Sequence, residues 1–252
     1  MIDLKKISID LINSYTTKIS VETKPPLENH QQAYQVQKLI TAEFGHRKGW
    51  KIGQDKNGVF VRAPMFQRTC YSNNAQVKRS LFHHCLVESE LAIVFKNDMP
   101  KKQTTYTIDE VNANLASIIT GIEICDSRLQ GWPDCDVIWQ LADSLTHGGY
   151  VMGGGINASL NLGQLNRGDF KITIGEDNKK PRVVLQDNRE HPFKNPTPIV
   201  LWLVNELNLC GDQIKAGDIT TTGSFSGSTP ILAGETATVE FKDIGKASLH
   251  II

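Results

Sequence analysis

Three acidic side chains in this sequence interrupt segments that are otherwise apolar. Glu88 and Glu90 break the run Leu86-Val87-Glu88-Ser89-Glu90-Leu91-Ala92-Ile93-Val94-Phe95, and Glu123 breaks Ile118-Ile119-Thr120-Gly121-Ile122-Glu123-Ile124. Both runs read as strands. Residues two apart on a strand share a face, so Glu88 and Glu90 project together. Like charges in an apolar setting repel and lose hydration, so protonation, a basic partner or a metal ion must compensate. Three carboxylates from two strands suit a hard divalent ion such as Mg²⁺, which takes oxygen ligands and keeps waters that a substrate can replace. The competing explanation is a solvent-facing edge on each strand, with the glutamates pointing to water.

Other polar residues allow two readings each. Lys51, between glycines in Gly49-Trp50-Lys51-Ile52-Gly53, could pair with a substrate carboxylate or be a surface lysine. Asp126-Ser127-Arg128 reads as a turn with a salt bridge. Asp143 with Thr146 and His147 fits a polar active-site loop or a helix C-cap. Thr221-Thr222-Gly223-Ser224 could present backbone N–H groups to an anion, or be a plain turn. No H-E-x-x-H, G-x-S-x-G, phosphate loop or dinucleotide fingerprint occurs, and Gly153-Gly154-Gly155 lacks the lysine that a phosphate loop needs.

The elements that would position these groups follow from periodicity. Leu4 to Thr17 and His30 to Phe44 read as amphipathic helices, the second closed by Gly45. Gly49 to Gly53 reads as a short strand, and residues 54–83 as irregular and polar. Cys85 to Phe95 and Ser117 to Cys125 are the acidic strands, separated by a helix from Thr107 to Ala116. A helix at Trp139 to Leu145 and a strand at Gly148 to Gly154 follow. Phe170–Ile174 and Arg182–Leu185 read as strands around the polar turn Glu176 to Lys180. Asn195 to Leu209 is the clearest helix, closed by Gly211, and Asp218 to Ile252 reads as several strands. This order is α+β rather than regular βαβ alternation. No linker or repeat divides the 252 residues, so one domain is expected.

Composition narrows the function. Lys+Arg and Asp+Glu are both 27, and this balance argues against nonspecific nucleic-acid binding. Five cysteines without a C-x-x-C pair argue against a disulfide framework and a cysteine-built zinc site. The longest clean apolar run, Ile199 to Val204, is far short of a membrane span, and the N-terminus lacks a signal-peptide core. A soluble cytoplasmic protein is expected.

Taken in order, several segments resemble one family. They are Ala33-Tyr34-Gln35-Val36-Gln37, Gly49-Trp50-Lys51-Ile52-Gly53, Glu88-Ser89-Glu90-Leu91-Ala92 and Gly121-Ile122-Glu123-Ile124-Cys125-Asp126-Ser127-Arg128. Ala142-Asp143, Gly153-Gly154, Trp202-Leu203 and Lys215-Ala216-Gly217-Asp218 through Thr222-Gly223 continue the series. From about residue 30 to 252 the chain resembles the 2-keto-4-pentenoate hydratase / 4-oxalocrotonate decarboxylase group of the fumarylacetoacetate hydrolase superfamily.

The resemblance implies a mixed β-roll with flanking helices, spanning 1–252 with 1–28 as an N-terminal helical extension. It implies an Mg²⁺ or Mn²⁺ site on Glu88, Glu90 and Glu123, and an active-site lysine at Lys51. Asp143 and Thr146 would be catalytic, and Thr222 and Gly223 would contact a small 2-oxo acid; for a 2-oxo dicarboxylate, Arg62 or Arg128 could supply the basic contact to the second carboxylate. A 2-oxo acid chelated by the metal is an electron sink, which serves both hydration of a dienol and loss of CO₂. The implied protein is a homo-oligomeric lyase of aromatic catabolism. The reading favoured is a hydratase of 2-hydroxy-2,4-dienoates. A 2-oxo acid decarboxylase, a non-catalytic binding subunit and an acylpyruvate hydrolase are the alternatives. The departures are a shortened Gly53–Pro64 segment with Val61-Arg62-Ala63 where an acidic residue is usual, Asp143-Ser144-Leu145-Thr146 in place of D-N-x-S, and Gln186 to Pro192 in place of a Gly-rich stretch.

Overall fold

The computed structural model describes residues 2–157, 162, 165–176 and 179–252. Five helices, α1 (Leu4–Thr17), α2 (His30–Phe44), α3 (Ile108–Ala113), α4 (Val137–Ala142) and α5 (Thr197–Cys210), accompany thirteen strands. The first seven strands are β1 (Arg47–Gln54), β2 (Phe60–Phe66), β3 (Cys70–Ser72), β4 (Ala75–Val77), β5 (Leu86–Phe95), β6 (Leu115–Cys125) and β7 (His147–Asn157). The rest are β8 (Arg167–Glu176), β9 (Arg182–Glu190), β10 (Ile219–Ser224), β11 (Thr229–Pro230), β12 (Glu235–Phe241) and β13 (Gly245–Ile251).

The helix ends follow their capping residues. Asn29 accepts from the Gln32 amide at 3.1 Å and starts α2, and Thr107 with Glu110 forms a reciprocal capping box at α3. Helix α3 ends at Ala113, earlier than its periodicity predicts, because Leu115 already pairs with Phe95 in the sheet. The polar turn expected at 176–180 includes residues 177 and 178, which lie outside the described residues.

An eight-stranded mixed sheet runs β2-β1-β10-β5-β6-β7-β3, with β11 added to β5. It curls, and β2 at one end comes against β7 near the other. The second sheet, β4-β13-β12-β8-β9, has five strands. The main core lies between the sheets and under α5. Val87, Leu91, Ile93, Ile118, Ile122 and Ile124 supply the first sheet's apolar face. Ile172, Ile174, Val239 and Leu249 come from the second sheet, and Ile199, Leu203 and Leu207 from α5.

One expectation needs correction. Residues 54–83 are not irregular: Asp55 caps a tight turn by accepting from the Val59 amide at 2.8 Å, and β2 then pairs with β1. Arg62 and Pro64 hide this strand in the sequence, since proline argues against a central strand. Here β2 is an edge strand, buried because α2 and α4 cover its outer face. The 1–28 segment carries helix α1. Ile7 and Leu11 of α1 pack with Val36 and Ile40 of α2, Trp139 of α4, and Val61 and Phe66 of β2.

Candidate metal centre

Strand register decides which side chains meet. In the β5–β6 pair, Glu88 stands opposite Glu123 and Glu90 opposite Gly121. Directly paired residues share a face, so all three carboxylates point into the curl of the first sheet, away from the main core. Lys51 joins them from β1, Thr221 from β10 and Tyr150 from β7, where it pairs with Glu123. Exposure of 1% for Glu90 and 0% for Glu123 shows that these two do not point to water, while Glu88 is half-buried.

The local electrostatics are those of an overcrowded acid site. Lys51 Nζ lies 2.7 Å from Glu123 Oε1 and donates to the Leu145 carbonyl at 2.9 Å. His147 Nδ1 is 3.6 Å from the same Glu123 oxygen, and its Nε2 pairs with the Thr69 hydroxyl at 3.1 Å. Burial opposes ionisation of Lys51 and Glu123 alike, but their mutual attraction wins: Lys51 titrates well above its ordinary value and Glu123 below. Burial, and then the Glu123 charge, push Glu88 and Glu90 up instead. One lysine therefore satisfies one of three carboxylates.

The donor set fits a hard divalent cation. Ligand atoms of Glu88, Glu123 and Cys125 lie within 4.8 Å of one another. Glu90 Oε2 and Glu123 Oε2 are buried without a hydrogen-bond partner among the described residues. Such orphaned, negatively biased oxygens are what a bound cation would satisfy. Glu90 stands on the same face but outside the tightest group, which instead includes Cys125. Burial raises the Cys125 thiol well above its usual range, so it stays protonated and is a poor ligand for a hard ion.

A strained turn forms one wall. Ser144, Leu145 and Thr146 are consecutive non-glycine residues with φ of 54°, 52° and 58°, a left-handed conformation that costs energy and needs outside support. Buried Arg128 supplies it. Its Nε donates to Asp143 Oδ1 at 2.6 Å, its Nη2 to the Asp143 carbonyl at 2.7 Å, and its Nη1 to the His147 carbonyl at 2.9 Å. One guanidinium thus clamps both ends of the turn, and the turn aims the Leu145 carbonyl at Lys51.

Several site expectations change accordingly. Both Asp143 oxygens are occupied, Oδ1 by Arg128 and Oδ2 by the Ser127 hydroxyl and the Arg128 amide, each at 3.0 Å. Asp143 is placed as a support rather than a proton carrier. Thr146 belongs to the strained turn, and its carbonyl accepts from the Asp126 amide at 2.9 Å. Arg62 pairs with Ile52, one residue from Lys51, so it lies on the opposite face of the sheet and cannot touch a ligand in the curl. The Thr222 hydroxyl donates to the Leu91 carbonyl at 2.9 Å and is not free. Gly223 has φ +105°, and an added Cβ would come within 3.1 Å of the Phe193 ring. Its glycine serves backbone geometry and close packing.

Sequence analysis does not select Tyr150 or Cys125; it places Thr221 only in a backbone anion site or turn, and His147 only in a polar loop or helix cap. A Cβ on Gly121 would fall 1.8 Å from the Tyr150 hydroxyl, so the missing side chain makes room for the phenol. Burial and the neighbouring glutamates raise Tyr150 well above its ordinary value. Its hydroxyl remains a donor without a partner among the described residues. Alternation along β7 was the available signal, but a register shift between Ile124 and Cys125 obscures it.

The curled mixed sheet closed by a second sheet matches the fold of fumarylacetoacetate hydrolase family structures. A structure described as a fumarylacetoacetate hydrolase family protein, from Yersinia pestis CO92, superimposes with a TM-score of 0.54 at 16% identity, over 82% of this chain and 93% of that one. The 4-oxalocrotonate decarboxylase from Pseudomonas putida G7, complexed with magnesium and adipate, gives a TM-score of 0.80 at 21% identity, over 99% of this chain and 97% of that one. In sequence, the chain is 28% identical over 162 residues to 2-keto-4-pentenoate hydratase 2 of Dechloromonas aromatica (strain RCB). That match covers 64% of this chain and 58% of the relative, less than two thirds of its length. No family model matches the chain.

Proposed function

We propose that this protein is a divalent-metal-dependent hydro-lyase that adds water to a 2-hydroxy-2,4-dienoate or the corresponding 2-oxo-enoate, of the 2-keto-4-pentenoate type. The observation that carries the reading is the pair of buried carboxylates with orphaned oxygens, Glu90 and Glu123, with half-buried Glu88 and Lys51 beside them, in a chain whose sequence relative is named as such a hydratase. Glu88 and Glu123, with Glu90 beside them, would hold Mg²⁺ or Mn²⁺. Once bound, that cation supplies a Lewis acid for the carboxylate and 2-oxo oxygens of the substrate.

The chain's own residues do the rest. Lys51 keeps its proton, so Nζ can donate to a substrate oxygen while the Leu145 carbonyl fixes its position. Arg128 holds that carbonyl in place through the strained turn. Burial keeps His147 neutral by lowering its pKa, so it steadies Glu123 without competing as a second full cation. The Tyr150 hydroxyl is a protonated donor facing the curl. It is suited to stabilising charge that develops on a substrate oxygen. We further propose a cytoplasmic homo-oligomer in aromatic catabolism; five free cysteines support a reducing compartment.

Mass spectrometry of products tests this. Purified protein with Mg²⁺ meets a 2-hydroxy-2,4-dienoate and, separately, a 2-oxo-enedioate, with Glu88→Ala as control. Gain of water that is lost in the control is expected. Loss of CO₂ would assign the decarboxylase reaction instead. No turnover from protein that still binds Mg²⁺ would leave a binding subunit.

A further inference from the structure

On the face of β1 and β2 turned away from the carboxylates, the structure holds a cleft of about 760 Å³ between α2, the end of α5 and the β1–β2 edge. That volume suits a small molecule. Arg62 lines it, with only 8% of its surface exposed. The guanidinium lies 4.5 Å from the Tyr34 ring and 5.0 Å from the Trp50 ring, which fixes its plane. Yet it is poorly paired. Glu206 is 3.7 Å away, beyond hydrogen-bond reach, and Nη2 donates only to the Cys210 sulfur at 3.4 Å. Arg62 Nε has no partner among the described residues.

Two further residues of the cleft carry unmet polar atoms. Gln37 Nε2 donates to the Arg62 carbonyl at 3.1 Å and to the Leu141 carbonyl at 2.6 Å. Only the amide nitrogen can answer two carbonyls, so Oε1 is the free atom, an acceptor without a donor. Trp50 Nε1 is a donor without an acceptor. Arg47 and Asp212 neutralise each other at 3.2 Å, which leaves Arg62 and Lys38 against Glu206 alone. The unmet set is a fixed guanidinium, an indole N–H and an amide oxygen beside aromatic rings.

We propose that this cleft is a second binding site, for a small flat hydroxy acid. The carboxylate would take the Arg62 fork, the hydroxyl would donate to Gln37 Oε1, and the conjugated or aromatic body would lie along Tyr34. The site is separate from the metal centre by the thickness of the sheet and does not depend on the hydratase reading.

Calorimetric titration of the full chain in EDTA, with sodium 4-hydroxybenzoate and with neutral 4-hydroxybenzamide, tests the site. Saturable binding of the acid is expected, at least about tenfold tighter than that of the amide. Arg62→Gln should weaken it about tenfold or more, and Glu206→Gln should tighten it severalfold by removing the competing carboxylate. Glu88→Gln, inside the curl, should leave it unchanged. No saturable binding up to about 10 mM would overturn the proposal. So would affinity indifferent to Glu206→Gln, which keeps the test decisive if Arg62→Gln fails to fold. Loss of binding in Glu88→Gln would place the ligand at the metal centre instead.

Discussion

Strands β5 and β6 have two faces that solve opposite problems. On one, Val87, Leu91, Ile93, Ile118, Ile122 and Ile124 enter the main core, where each side chain gains by leaving water. On the other, Glu90 and Glu123 are as deeply set and Glu88 is half-buried, with one lysine among them. The backbone is common to both, so the difference lies in side-chain chemistry alone. The apolar face is stable as it stands. The acidic face is stable only to the extent that partners arrive, and two of its carboxylates titrate high because burial and the Glu123 charge oppose their ionisation. A surface kept unsatisfied at this depth is organised for a ligand rather than for folding.

The largest effect is expected where the acidic face is propped up. Arg128→Met would leave Asp143 buried without its counter-charge and release the strained turn, costing about 3–5 kcal/mol. Urea denaturation checks this, and a loss below about 1 kcal/mol would mean that the clamp contributes little. On the apolar face, Ile122→Ala should cost about 3 kcal/mol while Mg²⁺-dependent stabilisation, read by thermal shift, is retained. Loss of both together would erase the distinction between the faces.

His191 tests the apolar side with pH. It is buried against the Phe225 ring, and burial lowers its pKa from 6.5 to about 4. The unfolded chain therefore binds a proton that the folded chain refuses. Stability is intact above about pH 6.5 and falls as pH drops toward 4, by up to about 3 kcal/mol. His191→Gln should flatten that acid limb in denaturation curves at stepped pH. The smallest effect has the opposite sign. Without a divalent cation, Glu90→Gln should stabilise the protein by about 1 kcal/mol, because it removes one of two crowded buried charges. It should also reduce the thermal shift that Mg²⁺ gives. Destabilisation in EDTA would show that Glu90 is already compensated.

Much of the scaffold was legible. The spans of α1 and α2 match their periodicity, with Gly45 closing the second helix. The burial of the acidic strands was legible from composition, and their like-facing glutamates from the two-residue repeat of a strand. Strand β2 was not, because proline and arginine break its pattern, and its burial comes from helices that pack on it. Arg62 shows the same limit. Its sequence neighbour Ala63 pairs with Lys51, yet the arginine itself faces the other way.

The sequence by itself determined most of the helices and strands, β2 to β4 excepted, and placed three carboxylates in strands of largely apolar composition. That information is local, since capping and periodicity act over a few residues. Only the tertiary structure decided that Lys51 neutralises Glu123, that Arg128 grips the turn at residues 143–147, and that Tyr150 lies over Gly121. The first and last of these contacts join strands through register and curl, and the Arg128 clamp joins the two loops that follow β6 and α4. A shift of one residue in register would turn Lys51, Glu123 or Tyr150 to the opposite face of the sheet.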